Sequence, residues 1–428
     1  MTAFDPSLEH ARTLDRSDPL HRWRDEFWLP STEAGSPDVY FVGNSLGLQP
    51  KRTSLFLQEE LEKWQRLGVK GHFESDHPWM PYHEFLAEPM ARLVGAHADE
   101  VVMMNSLTVN LHLMMATFYR PTDQRHQILI EQHAFPSDHY AVESQLLHHG
   151  RTVNESLLLA KPVDGGELLC SDAICEQIRA HAETLALVLL PGVQYYTGQV
   201  IDLARITQVA HECGVAVGID LAHAAGNIPL RLHDWGVDFA VWCSYKYLNS
   251  GPGSVAGCFV HRRHGQNIDL PRFAGWWGHD KATRFLMQNE FQAMPTAEGW
   301  QLSNPPILSL AAIRASLAVF DEAGGLEPLR TKSVLLTDYF EQLLRYELPE
   351  RVRIVTPSDS QERGCQLSLQ VRLDGVDGKQ VHEQLERAGT VTDWREPDVI
   401  RAAPVPLYNS FEDVHRFVTT LKQVLMTV

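Results

Sequence analysis

The sequence contains nothing that reads as a membrane span, an export signal or a disulfide framework. No run of about 18 apolar residues occurs, and Met1-Thr2-Ala3-Phe4-Asp5-Pro6 lacks the charged region and apolar region of a leader. The six cysteines (Cys170, Cys175, Cys213, Cys243, Cys258 and Cys365) are scattered with no C-x-x-C pair. That excludes a stapled secreted scaffold and fits reduced thiols in the cytoplasm. Positive charge is scarce: 37 Lys and Arg stand against 54 Asp and Glu, a formal net charge of -17. Such a surface repels polyanions, so nucleic acid is not an expected partner. Internal repeats and low-complexity linkers are missing as well.

What is present is a composition of 44% hydrophobic and 21% charged residues over 428 positions, enough for roughly two to three folded domains. From Lys51 to Leu67 the spacing of Leu55, Leu57, Leu61 and Trp64 predicts a helix with one apolar side, closed by Gly68. A second helix is expected from Ser106 to Tyr119, with a capping hydroxyl at its start and Leu107, Leu111, Met114, Met115 and Phe118 at helical spacing. Short apolar runs at 128–130, 185–190, 215–219 and 239–243 read as buried parallel strands. Between the middle two, Leu203, Ile206, Val209, Ala210 and Cys213 form a helix face ended by Gly214. The expected fold is α/β: a doubly wound, mostly parallel sheet over 51–306, with a smaller C-terminal α+β domain over 307–428. An alternating segment, Gln366 to Val371, and a final helix from Phe411 to Leu425 belong to the second part.

In open α/β sheets ligands sit beyond the carboxyl ends of the strands, so polar residues that end apolar runs are the first candidates. Asp220 ends one run, and Lys246 lies just past another, after Ser244 and Tyr245. The plain alternative is a salt bridge at the sheet edge. A lysine between Trp242, Tyr245 and Tyr247, however, sits in surroundings that favour the neutral amine able to form an imine with an aldehyde. A neighbouring carboxylate then suits pyridoxal phosphate, whose ring nitrogen needs an acid to stay protonated. Ser106 and Thr108 at a helix start offer donors to a phosphate, although simple capping is the commoner use. Tyr245 adds a hydroxyl, and Phe135 or His133 offers a stacking face.

Other patterns point elsewhere. Gly43-Asn44-Ser45-Leu46-Gly47 matches the G-x-S-x-G of hydrolases, but Pro50 interrupts the helix that motif needs. Gly251-Pro252-Gly253 with Gly257 is a loop near the lysine rather than a dinucleotide fingerprint. His148-His149 and His261 with His264 have no clear third ligand, so solvated surface is expected and no metal.

Taken in order, several blocks resemble the kynureninases, fold type I pyridoxal-phosphate enzymes that cleave the side chain of kynurenine. They include Phe41-Val42-Gly43-Asn44-Ser45-Leu46-Gly47-Leu48-Gln49-Pro50, Ala134-Phe135-Pro136-Ser137-Asp138-His139-Tyr140, Asp220-Leu221-Ala222-His223-Ala224 and Cys243-Ser244-Tyr245-Lys246-Tyr247-Leu248-Asn249. Gly275-Trp276-Trp277-Gly278-His279, Ser303-Asn304-Pro305-Pro306-Ile307 and Arg401-Ala402-Ala403-Pro404-Val405-Pro406 complete them. The resemblance implies hydrolytic Cβ–Cγ cleavage of L-kynurenine or 3-hydroxykynurenine, giving anthranilate or 3-hydroxyanthranilate and L-alanine. Lys246 and Asp220 would be catalytic. Leu107, Thr108, Phe135, Pro136, Ser137, Asp138, His223 and Tyr245 would join them in holding the cofactor. The resemblance also implies a homodimer in which Trp276 and Asn304 reach the partner's cofactor site. Arg401 would clamp the substrate carboxylate, and His72, Ser45, Trp276 and Asn304 would face its ring. Residues 1–50 would serve the substrate site and the small domain. Pro191 stands where some relatives carry Ser, removing one hydroxyl contact.

Two rivals remain at this stage. A cysteine desulfurase would need a thiol near the cofactor, and Cys365 lies just before the alternating segment. The other is a non-catalytic transcription or scaffold protein that kept the fold and bound cofactor, against which Lys246 and the acidic charge argue.

Overall fold

The apolar runs do form one sheet. In a computed structural model, which describes residues 4–31 and 35–427, the first strand, β1 (Val39–Tyr40), stands apart. Met1–Ala3, part of the amino-terminal reading, lie outside the described residues. Then come β2 (Val101–Met103), β3 (Gln127–Glu131), β4 (Leu157–Ala160), β5 (Leu185–Pro191), β6 (Ala216–Asp220), β7 (Phe239–Trp242) and β8 (Gly257–Val260). They lie in the order β2-β8-β7-β6-β5-β3-β4. The strands run parallel except β8, which is antiparallel to both its neighbours.

Alternation along the strands divides their side chains between two cores, as the period of two requires. Leu129, Val188, Leu190, Val217, Ile219, Ala240 and Trp242 join one, together with Leu203, Ile206, Val209 and Ala210 of helix Leu203–Glu212. Ile128, Ile130, Leu187, Leu189, Phe239 and Val241 join the other, under helix Leu107–Phe118. Ser106 occupies the N-cap position of that helix, but its hydroxyl makes no capping bond. The sheet reverses its winding between β3 and β5, and a crevice at the carboxyl end follows from that reversal.

The second part builds a core of its own. Strands β9 (Val352–Ile354), β10 (Leu367–Val371), β12 (Asp393–Arg395) and β13 (Val399–Ala402) form an antiparallel sheet in the order β12-β13-β10-β9, while β11 (Thr390–Val391) pairs in parallel with β1. Ala11, Val39 and Phe41 from the amino-terminal segment pack there with Leu336, Phe340, Val414 and Phe417.

Three expectations need correction. Helix Ile307–Glu322 buries Leu310, Ile313 and Leu317 in the large core, and the change of core comes within helix Leu326–Glu347, between Leu329 and Leu336. The boundary set at 306 is therefore early. Helix Thr53–Leu67 buries Thr53, Glu60 and Lys63 and leaves Leu55, Leu61 and Trp64 exposed, because its inner side holds a Glu60–Lys63 ion pair bonded to Trp79. The polar members of the alternating segment, Gln366, Ser368 and Gln370, are buried: Ser368 N–H donates to Thr356 Oγ1 and Gln366 Nε2 to the Tyr195 carbonyl at 3.1 Å.

Candidate active site

Three parallel strands of the central sheet end at its carboxyl edge in residues that face one crevice. Asp220 closes β6, Glu131 closes β3 and Pro191 closes β5. Lys246 stands on the loop after β7, and Ser137 and Asp138 lie in the first turn of helix Pro136–His148. Thr108 lies in the first turn of helix Leu107–Phe118, so two helix amino termini converge on one cavity.

Leu107, Thr108, Phe135, Ser137, Asp138, Asp220, His223, Tyr245 and Lys246 all line this cavity. Pro136 does not; it starts its helix, where the missing N–H leaves no intrahelical bond unmade. Glu131, Val193, Tyr195 and Ala222 complete the wall and were not singled out in the sequence. Glu131 ends an apolar run as Asp220 does, so the same rule would have found it.

The electrostatics are unusual for a folded interior. Asp138, Asp220 and Glu131 are all buried at one edge. Burial, then the charge of Asp220, pushes the Asp138 carboxyl well above the usual range. Burial raises Asp220 too, against the N–H of Ala222 bonded at 2.6 Å, and it pushes Glu131 up to about 8. Like charges so placed hold protons between them. Lys246 Nζ lies 3.0 Å from His223 Nε2 and 5.9 Å from the centre of the Phe135 ring. Burial, then Lys246, holds His223 well below the ordinary histidine range, so its ring is neutral and Nε2 accepts from the lysine. The proton then sits on Nδ1, which is buried without a hydrogen-bond partner among the described residues. Burial beside Cys243 raises Tyr245, which stays a phenol.

This donor set fits pyridoxal phosphate. Thr108 and Ser137, whose hydroxyls lie 2.9 Å apart, stand with two helix amino termini for the phosphate. The Asp138–Asp220 pair has a proton to share with a ring nitrogen. Phe135 gives an aromatic face, half-exposed and set edge-on to Tyr195 at 5.3 Å. Lys246 gives the amine, and His223 Nδ1 is a buried donor still lacking an acceptor.

The expected substrate residues do not meet here. Arg401, on β13, is buried with Nη1 on the Tyr195 carbonyl at 2.7 Å and Nη2 on Asp393. The Trp276 indole bonds the Arg284 carbonyl, Asn304 is exposed before helix Ile307–Glu322, and His72 packs edge-on to Trp79. Ser45 lies in a turn outside the cavity lining. Its loop nevertheless supports the site, since Gly47 N–H donates to the Tyr245 carbonyl at 2.8 Å. A Cβ on Gly47 would come 2.2 Å from the Lys246 carbonyl, so only glycine permits this approach. His261 and His264 are half-buried rather than solvated, turned onto the carboxylates of Glu100 and Asp238.

Comparison with known proteins agrees with this chemistry. The family description "Kynureninase C-terminal domain" matches residues 329–421. Kynureninase of Myxococcus xanthus is 57% identical over 420 residues, covering 98% of this chain and 97% of the relative. Kynureninase of Koribacter versatilis is 53% identical over 416 residues, covering 97% of both. Among solved structures, a cysteine desulfurase of Escherichia coli matches with a TM-score of 0.76 at 17% identity over 100% of both chains, a likeness of fold. Cys365 itself is buried, bonded through its N–H to Asn227, and its thiol is pushed up to about 12 by burial. No exposed sulfur nucleophile of the kind a desulfurase needs is available at that position.

Proposed function

The chain belongs to the kynureninase family, and from that premise we infer how its side chains divide the hydrolysis of L-kynurenine to anthranilate and L-alanine. Pyridoxal phosphate is the cofactor, and when bound it supplies a protonated ring that stabilises negative charge developing on substrate carbon.

Lys246 carries the cofactor at rest. Its amine, when free, would take the proton from the substrate Cα as general base. Neutral His223 accepts from that amine at 3.0 Å and so keeps it aimed. Asp220, with Asp138 behind it, holds the proton at the ring nitrogen. Thr108, Ser137 and the two helix termini hold the phosphate, with Leu107 and Pro136 shaping the turns and Tyr245 donating its phenol. Phe135 covers one face of the ring. Pro191 adds no donor, and the two hydroxyls carry that load. The cofactor would supply a place for the electrons of the Cβ–Cγ bond once water has added to the side-chain ketone.

Arg401 takes the substrate carboxylate. The support is its buried Nε, which has no partner among the described residues, and its place 5.9 Å from the centre of the Tyr195 ring at the cavity wall. A planar fork suits a carboxylate. The aminophenyl ring of kynurenine, or of 3-hydroxykynurenine, is received by His72, Ser45, Trp276 and Asn304, the last two supplied across a homodimer. Exposed Leu55, Leu61, Trp64, Val69 and Phe73 on and after helix Thr53–Leu67 support the dimer, because so large an apolar surface calls for a cover. No helix among the described residues is long and apolar enough to cross a membrane, and the scattered unpaired thiols support a cytoplasmic enzyme.

The observation that carries these roles is the lysine amine set between a neutral histidine and an aromatic face, above a proton-sharing carboxyl pair. Incubating the purified protein with L-kynurenine and with 3-hydroxykynurenine, and following anthranilate or its hydroxylated analogue, tests the substrate reading. Formation of neither product would overturn it.

A further inference from the structure

The opposite edge of the sheet holds a second cluster that the reaction does not use. Glu100 precedes β2 and is fully buried, yet no Lys or Arg side chain reaches it in a salt bridge among the described residues. Arg262 gives it only a backbone N–H at 2.8 Å, while the Arg262 guanidinium goes to Asp99. The His97 N–H donates to the other carboxylate oxygen at 2.9 Å. His233, on helix Leu232–Trp235, turns Nδ1 toward both oxygens at 2.8 and 3.0 Å, and its ring stacks on His261 at 4.8 Å. His97, exposed, stands edge-on to His233 with ring centres 4.2 Å apart.

From this arrangement we propose that His97, Glu100 and His233 bind a divalent transition-metal ion of the zinc class. One nitrogen of each imidazole and one carboxylate oxygen already lie within 4.8 Å of one another. Tetrahedral zinc with bonds of about 2.0–2.2 Å brings donors to about 3.4 Å apart, so exposed His97 needs to move by roughly an ångström. A carboxylate has about four lone-pair sites. The two backbone N–H groups occupy two and fix the orientation of Glu100, as outer contacts do for metal ligands. When the metal takes Nδ1, neutral His233 carries its proton on Nε2 instead, an exchange of tautomer through solvent. Three protein ligands leave the fourth position to water. The ion ties the turn 97–100 to helix Leu232–Trp235 across the amino edge, far from Lys246 in the topology, so its role is to brace the fold.

The other cluster of this kind among the described residues, His83, Glu84 and Glu298, already holds a cation. Lys281 Nζ lies 2.9 Å from Glu84 and 2.8 Å from Glu298. It therefore serves as the control. Untagged, cofactor-loaded protein is stripped with chelator and titrated with zinc chloride by calorimetry, with thermal melts in parallel. The expected result is one equivalent bound per chain and a raised Tm. In His97→Ala affinity should fall at least about tenfold and the rise in Tm vanish, with kynurenine turnover unchanged. His233→Ala should behave likewise, and His83→Ala should bind as the parent does. His97 is exposed, so its variant folds even where His233→Ala fails to. Absence of stoichiometric binding, or binding that survives His97→Ala, overturns the site.

Discussion

The two edges of the central sheet treat buried charge in opposite ways. At the amino edge Asp238 is buried yet held far below the ordinary carboxylate range. Burial raises it, but bonds from His211, His264 and Arg263 outweigh that, and the Val217 N–H adds another at 2.7 Å. Glu100 is likewise lowered against burial by two backbone N–H groups and His233. At the carboxyl edge Asp138, Asp220 and Glu131 are raised, and His223 keeps a buried nitrogen with no partner among the described residues. A protein optimised only for stability would satisfy both edges alike. The difference marks the edge left open for the acid–base chemistry, which requires groups held ready to change protonation.

The largest effects should come from the unsatisfied edge. Lys246→Ala should lower kynurenine turnover by about a thousand-fold or more, since it removes both the anchor and the proton carrier. Anthranilate fluorescence follows this, and retention of a tenth of parental activity would contradict the assigned role. Asp220→Ala should lower kcat by about a hundred-fold or more while KM moves far less, because the proton it holds matters when charge develops rather than when substrate docks. Equal loss in binding and turnover would place Asp220 among the packing residues. Neither variant should lower Tm as much as a change at Asp238.

The middle of the range compares the edges directly. Asp238→Asn removes a carboxylate that four donors share and should destabilise by about 2–4 kcal/mol at pH 7, with turnover per folded molecule unchanged. Because the folded pKa is depressed, this contribution is present above the unfolded value and is lost as pH falls below about 4. The gap in Tm between parent and variant should therefore close in acid. Glu131→Gln should act with the opposite sign. Its folded pKa is raised to about 8, so the parent loses stability as pH rises from about 4.5 to 8. The variant, free of that titration, should gain on the parent by about 1–3 kcal/mol across the same window. Melting curves of apoprotein from about pH 2 to 9 give both results. Parallel curves for Glu131→Gln and parent would mean that its carboxyl is not held protonated.

The carboxyl edge was the more readable one in the sequence, for a physical reason. A strand of period two carries the next polar residue to a known place, so Asp220 and Lys246 followed from apolar runs alone. Glu131 obeys the same rule at β3. Tyr195 does not, because it follows β5 by four residues and reaches the cavity through a turn. Amino-edge pairings such as His211 with Asp238, or His97 with His233, join residues far apart in sequence and have no periodic signature. The same limit applies to helix Thr53–Leu67. Periodicity revealed an apolar side but not that Glu60 and Lys63 would face the core instead. Arg401, Trp276 and Asn304 were named only through family resemblance, since no periodic pattern marks them.

The smallest effect separates holding a ligand from holding the fold at the carboxyl edge itself. Thr108 and Ser137 bond each other 2.9 Å apart at two helix starts, and Ser106 leaves its capping role unused. If these hydroxyls exist for the phosphate, Thr108→Ala should weaken cofactor binding by about tenfold, the usual worth of a hydrogen bond to a charged group. The same change should leave the apoprotein within about 0.5 kcal/mol of the parent, as for a substitution outside the packed core. Absorbance titration with pyridoxal phosphate gives the first quantity and melts of apoprotein the second. A loss of apoprotein stability with undiminished cofactor affinity would make the Thr108–Ser137 bond a helix staple, and the carboxyl edge would then resemble the amino edge at this point.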